Sequence, residues 1–376
     1  MQHTLHNQLE YKIAFASLRG MGYDLAQKIL NIIPTEKDFF EISEKELQNL
    51  LQTKVKITEM SYRKKQLEKA QKEVDFISKN NINITYFTED CYPTRLRHAQ
   101  DSPIILFSKG NCNLNSAKII SIVGTRHATA YGKLFCENII EELKILTDNF
   151  IIVSGLAYGI DIYAHRAALK NRIPTVAVLA HGLNTIYPST HRHDAIEMIS
   201  NGGMLVTDYQ SSDNIHPGNF VARNRIIAGL ADCTIVVESA EKGGSLITAG
   251  IASSYNRDVF ALPGRANDTY SKGCNKLIRN NVASLITSAE DLISAMRWER
   301  KTSNVDAKQM KMFIDILPEE LPIVNYLQEN NETHINTLCN TLNIPMSQLM
   351  SMLIELEFKG VVISLPGAKY GLLANK

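Results

Sequence analysis

Phe220 to Ala249 reads FVARNRIIAGLADCTIVVESAEKGGSLITA, and its order is helix, strand, glycine turn, helix. Arg223, Asn224 and Arg225 stand near the start of the first helix, whose Ile226, Ile227 and Leu230 make an apolar face. Thr234 to Val237 is an apolar run of the length of a buried strand. Lys242-Gly243-Gly244-Ser245 then opens the second helix. Two glycines let the backbone approach a ligand closely. The uncapped N–H groups and positive dipole end of the helix favour an anion, and Lys242, Ser245 and Thr248 add charge and hydroxyl donors. The stretch is expected to hold an anion, most naturally a phosphate.

Upstream and downstream the same alternation continues. From Lys118 the runs IISIVG, FIIVSG, TVAVLA and MLVTD precede the opening stretch and DVFALPG follows it. Between them lie helical patterns from about Tyr131 to Leu146, after Gly159 and after Ser189, with a last helix beyond DVFALPG. Buried strands alternating with helices predict an α/β fold, a doubly wound parallel sheet. Such sheets bind ligands at the carboxyl ends of their strands. Every polar, glycine-bearing cluster falls there: Gly124-Thr125-Arg126, Ser154-Gly155, His181-Gly182, Glu238 to Ser245 and Pro263-Gly264-Arg265. Five clusters on one edge predict one site.

The remaining chain divides around this sheet. Residues 1–80 read as a helical unit. Within it, Gly20-Met21-Gly22 joins two helical patterns, either as a helix-hairpin-helix that presents amides to a phosphate or as an ordinary αα-hairpin. The basic run Lys54, Lys56, Arg63, Lys64, Lys65, Lys69 and Lys72 is interleaved with Glu59, Glu68, Glu73 and Asp75, the pattern of a solvated helix face. Residues 81–296 form the sheet domain. It is entered through a short strand at Asn83 to Phe87 and a connector with a small strand pair of its own. Residues 297–316 are charged and aperiodic, a linker. Residues 317–376 give three helices and then VVISLPGAKYGLL, the outline of a winged helix.

Composition bounds the function more loosely. With 376 residues, 44% hydrophobic, 21% charged and a net charge of +1, the chain has ordinary soluble composition, and a balanced sum can conceal a basic patch. Six scattered cysteines without CxxC spacing read as reduced thiols of a cytosolic protein. The start MQHTLHNQLEYK has no signal-peptide pattern, and no apolar run reaches membrane-spanning length.

Neither GxGxxG after the first strand nor GxxxxGK[ST] anywhere occurs, which argues against NAD use and P-loop ATP hydrolysis. Arg126, at the end of the first parallel strand, suits direct contact with an anion. Asp161 and His165 lie four apart on a helix and could pair for acid-base work, but a dipole-facing Asp and a packing His explain them more simply. His181 reads as structural. His191 and His193, with Asp194, point apart and complete no metal site. A nucleotide hydrolase needs a carboxylate near its phosphate loop. Gly243 through Asn256 contains none, and Glu238 serves equally as a buried partner for an arginine. Binding without turnover, with no cofactor or metal, is the expectation; a nucleotide phosphoribohydrolase on the same kind of sheet is the alternative.

Six motifs in order, SIVGTR, SGLAYGIDIYAH, GLNTIYP, FVARNRIIAGL, KGGSLITA and ALPGR followed by Gly273 and Asn275, resemble the DNA-processing protein A (DprA/Smf) family. The helical start and winged-helix end match its longer members. The resemblance implies an extended Rossmann-like domain that binds single-stranded DNA, forms a homodimer, protects incoming DNA and loads the strand-exchange recombinase during natural transformation. It implies a DNA pocket built from Gly124, Arg126, Ser154, Gly155, Arg223, Asn224, Arg225, Lys242, Gly243, Gly244, Ser245 and Thr248. Gly243 departs from the family, which more often has Ser there; this removes a hydroxyl and keeps the amides. Repeating phosphates suit several anion nests along one sheet edge, and Tyr131, Phe220 and Tyr270 are candidates to stack bases. The winged helix reads differently. From Leu317 to Lys376 six acidic and three basic residues leave a net of −3, and Ser347 to Phe358 has no Lys or Arg, so a protein contact is expected there rather than duplex binding.

Overall fold

The computed structural model describes residues 2–99, 101–115, 117–301, 317–330, 332–359, 361–365 and 367–372. Contacts divide the chain into two compact units, 1–301 and 302–376.

The first unit begins with helices α1 (Gln2–Ala16), α2 (Tyr23–Ile32), α3 (Glu36–Glu41), α4 (Glu44–Leu51) and α5 (Met60–Asn80). Thr35 and Ser43 cap α3 and α4 by accepting from the N–H groups of Asp38 and Glu46. The Gly20-Met21-Gly22 turn is present, with Gly20 at φ 80. The basic run is largely the solvated face expected of it, with its six lysines exposed, but two of the residues in the pattern turn inward. Arg63 is fully buried on α5. It donates to the carbonyls of Phe39, Ile42 and Thr58 and lies 5.6 Å from the Phe39 ring centroid. A cation is at home there because the C-terminal carbonyls of α3 form a negative dipole end. Glu73 is buried too, accepting from the N–H and hydroxyl of Ser211. Charge alternation cannot show these partners, which lie far away in sequence.

Next come β1 (Asn83–Tyr86), α6 (Thr94–Arg97) and β2 (Ile105–Gly110). This strand pair is no separate connector: β2 pairs antiparallel with both β1 and β6, so it extends the main sheet. The parallel part follows as β3 (Lys118–Val123), α7 (Ala130–Leu146), β4 (Phe150–Ser154), α8 (Ile160–Lys170), β5 (Thr175–Val178), α9 (Arg192–Ser200) and β6 (Met204–Thr207). It continues with α10 (Pro217–Leu230), β7 (Cys233–Val236), α11 (Gly244–Ser254), β8 (Asp258–Ala261), α12 (Lys272–Arg279), β9 (Ser284–Leu285) and α13 (Ala289–Met296). The single last helix expected beyond DVFALPG is thus two helices around a short strand.

The sheet order is β1-β2-β6-β5-β4-β3-β7-β8-β9, parallel from β6 to β9. Strands β4, β5, β6 and β7 are buried at every residue, which is why each reads as a short unbroken run with few polar residues. The chain winds from β3 through β4 and β5 to β6 on one side, then returns as β7 on the other side of β3. The crevice between the carboxyl ends of β3 and β7 is the topological switch point, where ligands of open α/β sheets sit. One apolar cluster runs from Ile13 on α1 through the sheet to Ala283, so the helices of the first eighty residues share the sheet's core. Residues 297–301, expected as the start of the linker, are folded against this unit. Trp298 hydrogen-bonds back to Ile293, and Lys301 pairs with Asp148 at 2.7 Å. The rest of the expected linker, 302–316, lies outside the described residues.

The second unit holds α14 (Leu321–Asn330), β10 (Thr333–His334), α15 (Ile335–Leu342), α16 (Met346–Phe358), β11 (Val362–Leu365) and β12 (Lys369–Leu372), with strand order β10-β12-β11. It is a winged helix with its own core of Ile323, Leu327, Leu338, Leu349, Leu353, Leu356 and neighbours.

Arg63→Ala leaves three carbonyls without their donor inside the helical layer. About 3 kcal/mol of stability is expected to be lost, read as a lower urea midpoint at unchanged slope, while Arg63→Lys recovers part of it.

Candidate nucleic-acid interface

Two loops build the crevice. The first leaves β3 as Gly124-Thr125-Arg126-His127 and is pinned to the end of β7. Thr125 N–H donates to the Glu238 carbonyl at 2.7 Å. The Glu238 carboxylate accepts from Thr129 N–H at 2.9 Å and from the Thr129 hydroxyl at 2.6 Å. Thr129 in turn caps α7. The sequence had suggested an arginine as the partner of Glu238; the structure supplies instead the positive end of a helix. Glycine is required here: a Cβ on Gly132 would run into the Glu238 carboxylate, and one on Gly124 into Ile160.

The second loop follows β7 and opens α11 at Gly243, whose missing side chain leaves the first amides of the helix without a side-chain cap. A Cβ on Gly243 would collide with Ser239 Oγ. Ser239 thus takes the space that a side chain at 243 would need, and its hydroxyl accepts from Ser245 Oγ at 2.9 Å. Sequence reading passed over Ser239 because only the fold brings its side chain under the turn. Gly244 differs, since its Cβ position meets nothing within 4 Å. The space beside it is open to a ligand.

A crevice of about 260 Å³ lies between these loops. Of the twelve candidate residues it gathers Gly124, Arg126, Arg223, Asn224, Gly243, Gly244, Ser245 and Thr248, with Phe220 beside them. Arg126 is exposed, stands 5.6 Å over the Phe220 ring and has no ion pair among the described residues. Lys242 is also exposed and unpaired among them, on the turn just outside the lining.

Four candidates are placed otherwise, and Arg223 has a different role from the expected one. Arg223 and Arg225 are not near a helix start: α10 begins at Pro217, so both sit in mid-helix. Arg223 shares the inward face with Ile226, Ile227 and Leu230, is 4% exposed, and donates to the Val178 carbonyl beneath the crevice. Burial pulls its pKa down, opposed by nearby Asp161, whose own carboxyl is pushed up by burial and held back by Arg223 and the Gly155 N–H. Arg223 is therefore a buried floor, and Gly155 is glycine because a Cβ would enter its guanidinium. Arg225 is turned away, pairing with Asp208 at 2.6 Å and donating to the Asp101 carbonyl. Ser154 is buried and ties β4 to β3 by donating to the Ile122 carbonyl at 2.6 Å.

The stacking candidates divide. Phe220 lines the crevice. Tyr131 and Tyr270 line a neighbouring cavity of about 860 Å³ with Pro263 and Arg265, where Tyr131 donates to the Pro263 carbonyl at 2.9 Å and Tyr270 stacks on His127. His181-Gly182 belongs to neither; His181 accepts from Tyr187 N–H at 3.1 Å. Asp161 and His165 form no pair, since Asp161 accepts from Gly155 N–H while His165 Nδ1 meets Thr175 Oγ1 at 2.7 Å.

His165 carries a pH signature. Full burial brings its pKa from 6.5 down to about 3. Below pH 6.5 the unfolded chain takes up a proton that the folded chain refuses, so this residue's contribution to stability is complete above that pH and declines as pH falls toward 3. The decline is about 1.4 kcal/mol per pH unit. Urea unfolding from pH 7 to 4.5 is expected to show it, and His165→Gln to flatten it.

The family model described as DNA recombination-mediator protein A matches residues 83–297, and the DprA winged helix domain model matches 317–368. DNA processing protein DprA of Streptococcus pneumoniae is 40% identical over 210 residues, 56% of this chain and 73% of that protein. Protein Smf of Escherichia coli is 31% identical over 315 residues, 82% of this chain and 81% of that one. Among solved structures, the Streptococcus pneumoniae protein superposes with a TM-score of 0.59 at 31% identity, covering 76% of this chain and 95% of its own. DNA processing protein A of Helicobacter pylori, whose structure is described for its single-stranded DNA binding mode, superposes with a TM-score of 0.51 at 28% identity, covering 57% and 95%.

Proposed function

This chain belongs to the DNA recombination-mediator protein A family, the DprA/Smf proteins, and from that premise we propose that the β3–β7 crevice grips single-stranded DNA without chemical turnover. The chain is a DNA-processing protein. One observation carries the reading of its site: two cations without an ion pair among the described residues, Arg126 and Lys242, flank an uncapped helix start beside open space at Gly244. Charge and amide donors hold a phosphate there, and the Phe220 ring under Arg126 offers a surface on which a base can stack. Asn224 lines the same wall and suits a hydrogen bond to a base edge or sugar. A duplex, with its bases paired inward, presents no free base to this crevice.

Absence of catalysis is part of the proposal. Glu238 is committed to Thr129 and lies on the side of the neighbouring cavity; Asp161, the carboxylate lining the crevice, is committed to the Gly155 amide and the Arg223 floor. Neither is free to activate water. We assign the protein to the cytoplasm, where internalised single strands are processed; no described helix is long and apolar enough to cross a membrane. Delivery of the strand to a recombinase and action as a homodimer complete the reading. The exposed Val282 and Leu285 near β9 are candidates for the self-contact.

Anisotropy of a labelled oligonucleotide, single-stranded and duplex, tests this at two salt concentrations. The single strand is expected to bind more tightly and to weaken with salt. Arg126→Ala with Lys242→Ala is expected to lower affinity by at least about tenfold and to reduce the salt slope by about 1.4, from two lost phosphate contacts. If the double variant binds like wild type, or if nucleoside monophosphates are cleaved to free base, the site belongs to a small ligand and the hydrolase reading replaces this one.

Gly244→Val gives a separate check. A Cβ at this position meets nothing within 4 Å, so stability should stay within about 0.5 kcal/mol, while single-strand affinity falls because the valine occupies ligand space.

A further inference from the structure

Helix α16 has two apolar faces. Leu349, Met352, Leu353 and Leu356 turn into the winged-helix core. Met346, Met350, Ile354 and Phe358 do not: they are 37%, 45%, 47% and 91% exposed. Their spacing of four makes one continuous ridge, about 18 Å long at 1.5 Å per residue. Single exposed apolar residues are ordinary on a protein surface, but four in register on one helix form a patch of the kind that marks an interaction site.

The surroundings select the partner. The exposed flank of α16 carries Ser347, Ser351, Glu355 and Glu357 and no cation, within a unit of net charge −3. Nucleic acid is repelled by such a face. A two-fold contact with a second copy sets acidic rim near acidic rim, and the cation next to the ridge, Lys359, is already paired with Glu320 at 2.8 Å. A ridge of i±4 residues fits the groove between the corresponding rows of another helix. We propose that α16 docks an amphipathic helix of a second protein, apolar along its i, i+4 row and fringed with Lys or Arg. This surface is independent of the DNA crevice.

The test uses the full chain and two labelled synthetic helical peptides with the same Leu/Ala face, one fringed with Lys and one with Glu. The Lys peptide is expected to bind about tenfold or more tighter than the Glu peptide, and less tightly as salt rises. Ile354→Ser is expected to abolish the difference by removing binding, with the thermal midpoint unchanged, and Glu355→Lys to reverse the peptide preference while leaving the ridge intact. Equal binding of both peptides, or wild-type binding by Ile354→Ser, overturns the proposal. So does conversion of a dimer to a monomer by Ile354→Ser in sedimentation, which makes the ridge a self-contact. Binding that emerges only when 302–316 is replaced by Gly and Ser overturns it as well, because the chain's own segment is then the occupant. Single-strand affinity measured on the same variants should not change, which separates this outcome from failure of the crevice reading.

Discussion

The carboxylate of Glu238 holds the sheet together where its winding reverses. Strands β3 and β7 are far apart in sequence, yet the carboxyl end of β7 must fix the loop that leaves β3. Glu238 does this with its carbonyl on Thr125 and its carboxylate on Thr129. The loop is held at both ends of Arg126, so the arginine is presented at the crevice without an ion pair among the described residues. An acidic partner for Arg126 would have cancelled the charge that the site needs. Placing the counter-charge on a helix dipole, shielded behind Gly132, stabilises the loop and leaves the cation available.

The same economy governs three other arginines. Arg63 ends a helix, Arg223 underlies the crevice and Arg225 is neutralised by Asp208. Each guanidinium is a forked donor suited to gathering carbonyls or a carboxylate inside a fold, and such a partner removes it from ligand binding. Lys242 sits on an exposed turn, where an ammonium remains hydrated and free.

Local pattern and distant partner were unequally legible in the sequence. The parallel strands, the glycine turn at Lys242 to Ser245 and the winged helix could all be read, because buried strands and turn glycines impose their character on adjacent residues. Eight of the twelve candidate residues also meet at the crevice, since strand ends and helix starts are local features that the sheet then collects on one edge. What could not be read was the fate of each charge. Arg225 and Asp101 are 124 residues apart, and Glu73 and Ser211 are 138 apart. The start of α10 is marked in the sequence only by Pro217 at the first helical position, with His216 rather than Ser, Thr, Asp or Asn as its cap, and the inward turn of Arg223 follows from that start. The β1–β2 pair looked self-contained for a similar reason. Its edge reaches β6 only after nearly one hundred residues of intervening chain have folded.

Charge partition also separates the two units. With the whole chain at +1 and residues 317–376 at −3, residues 1–316 carry +4. By net charge, a polyanion is favoured by the sheet unit and disfavoured by the winged helix. An acidic face favours a cationic partner over a polyanion, so the ligand proposed for the crevice and the one proposed for α16 are of opposite charge.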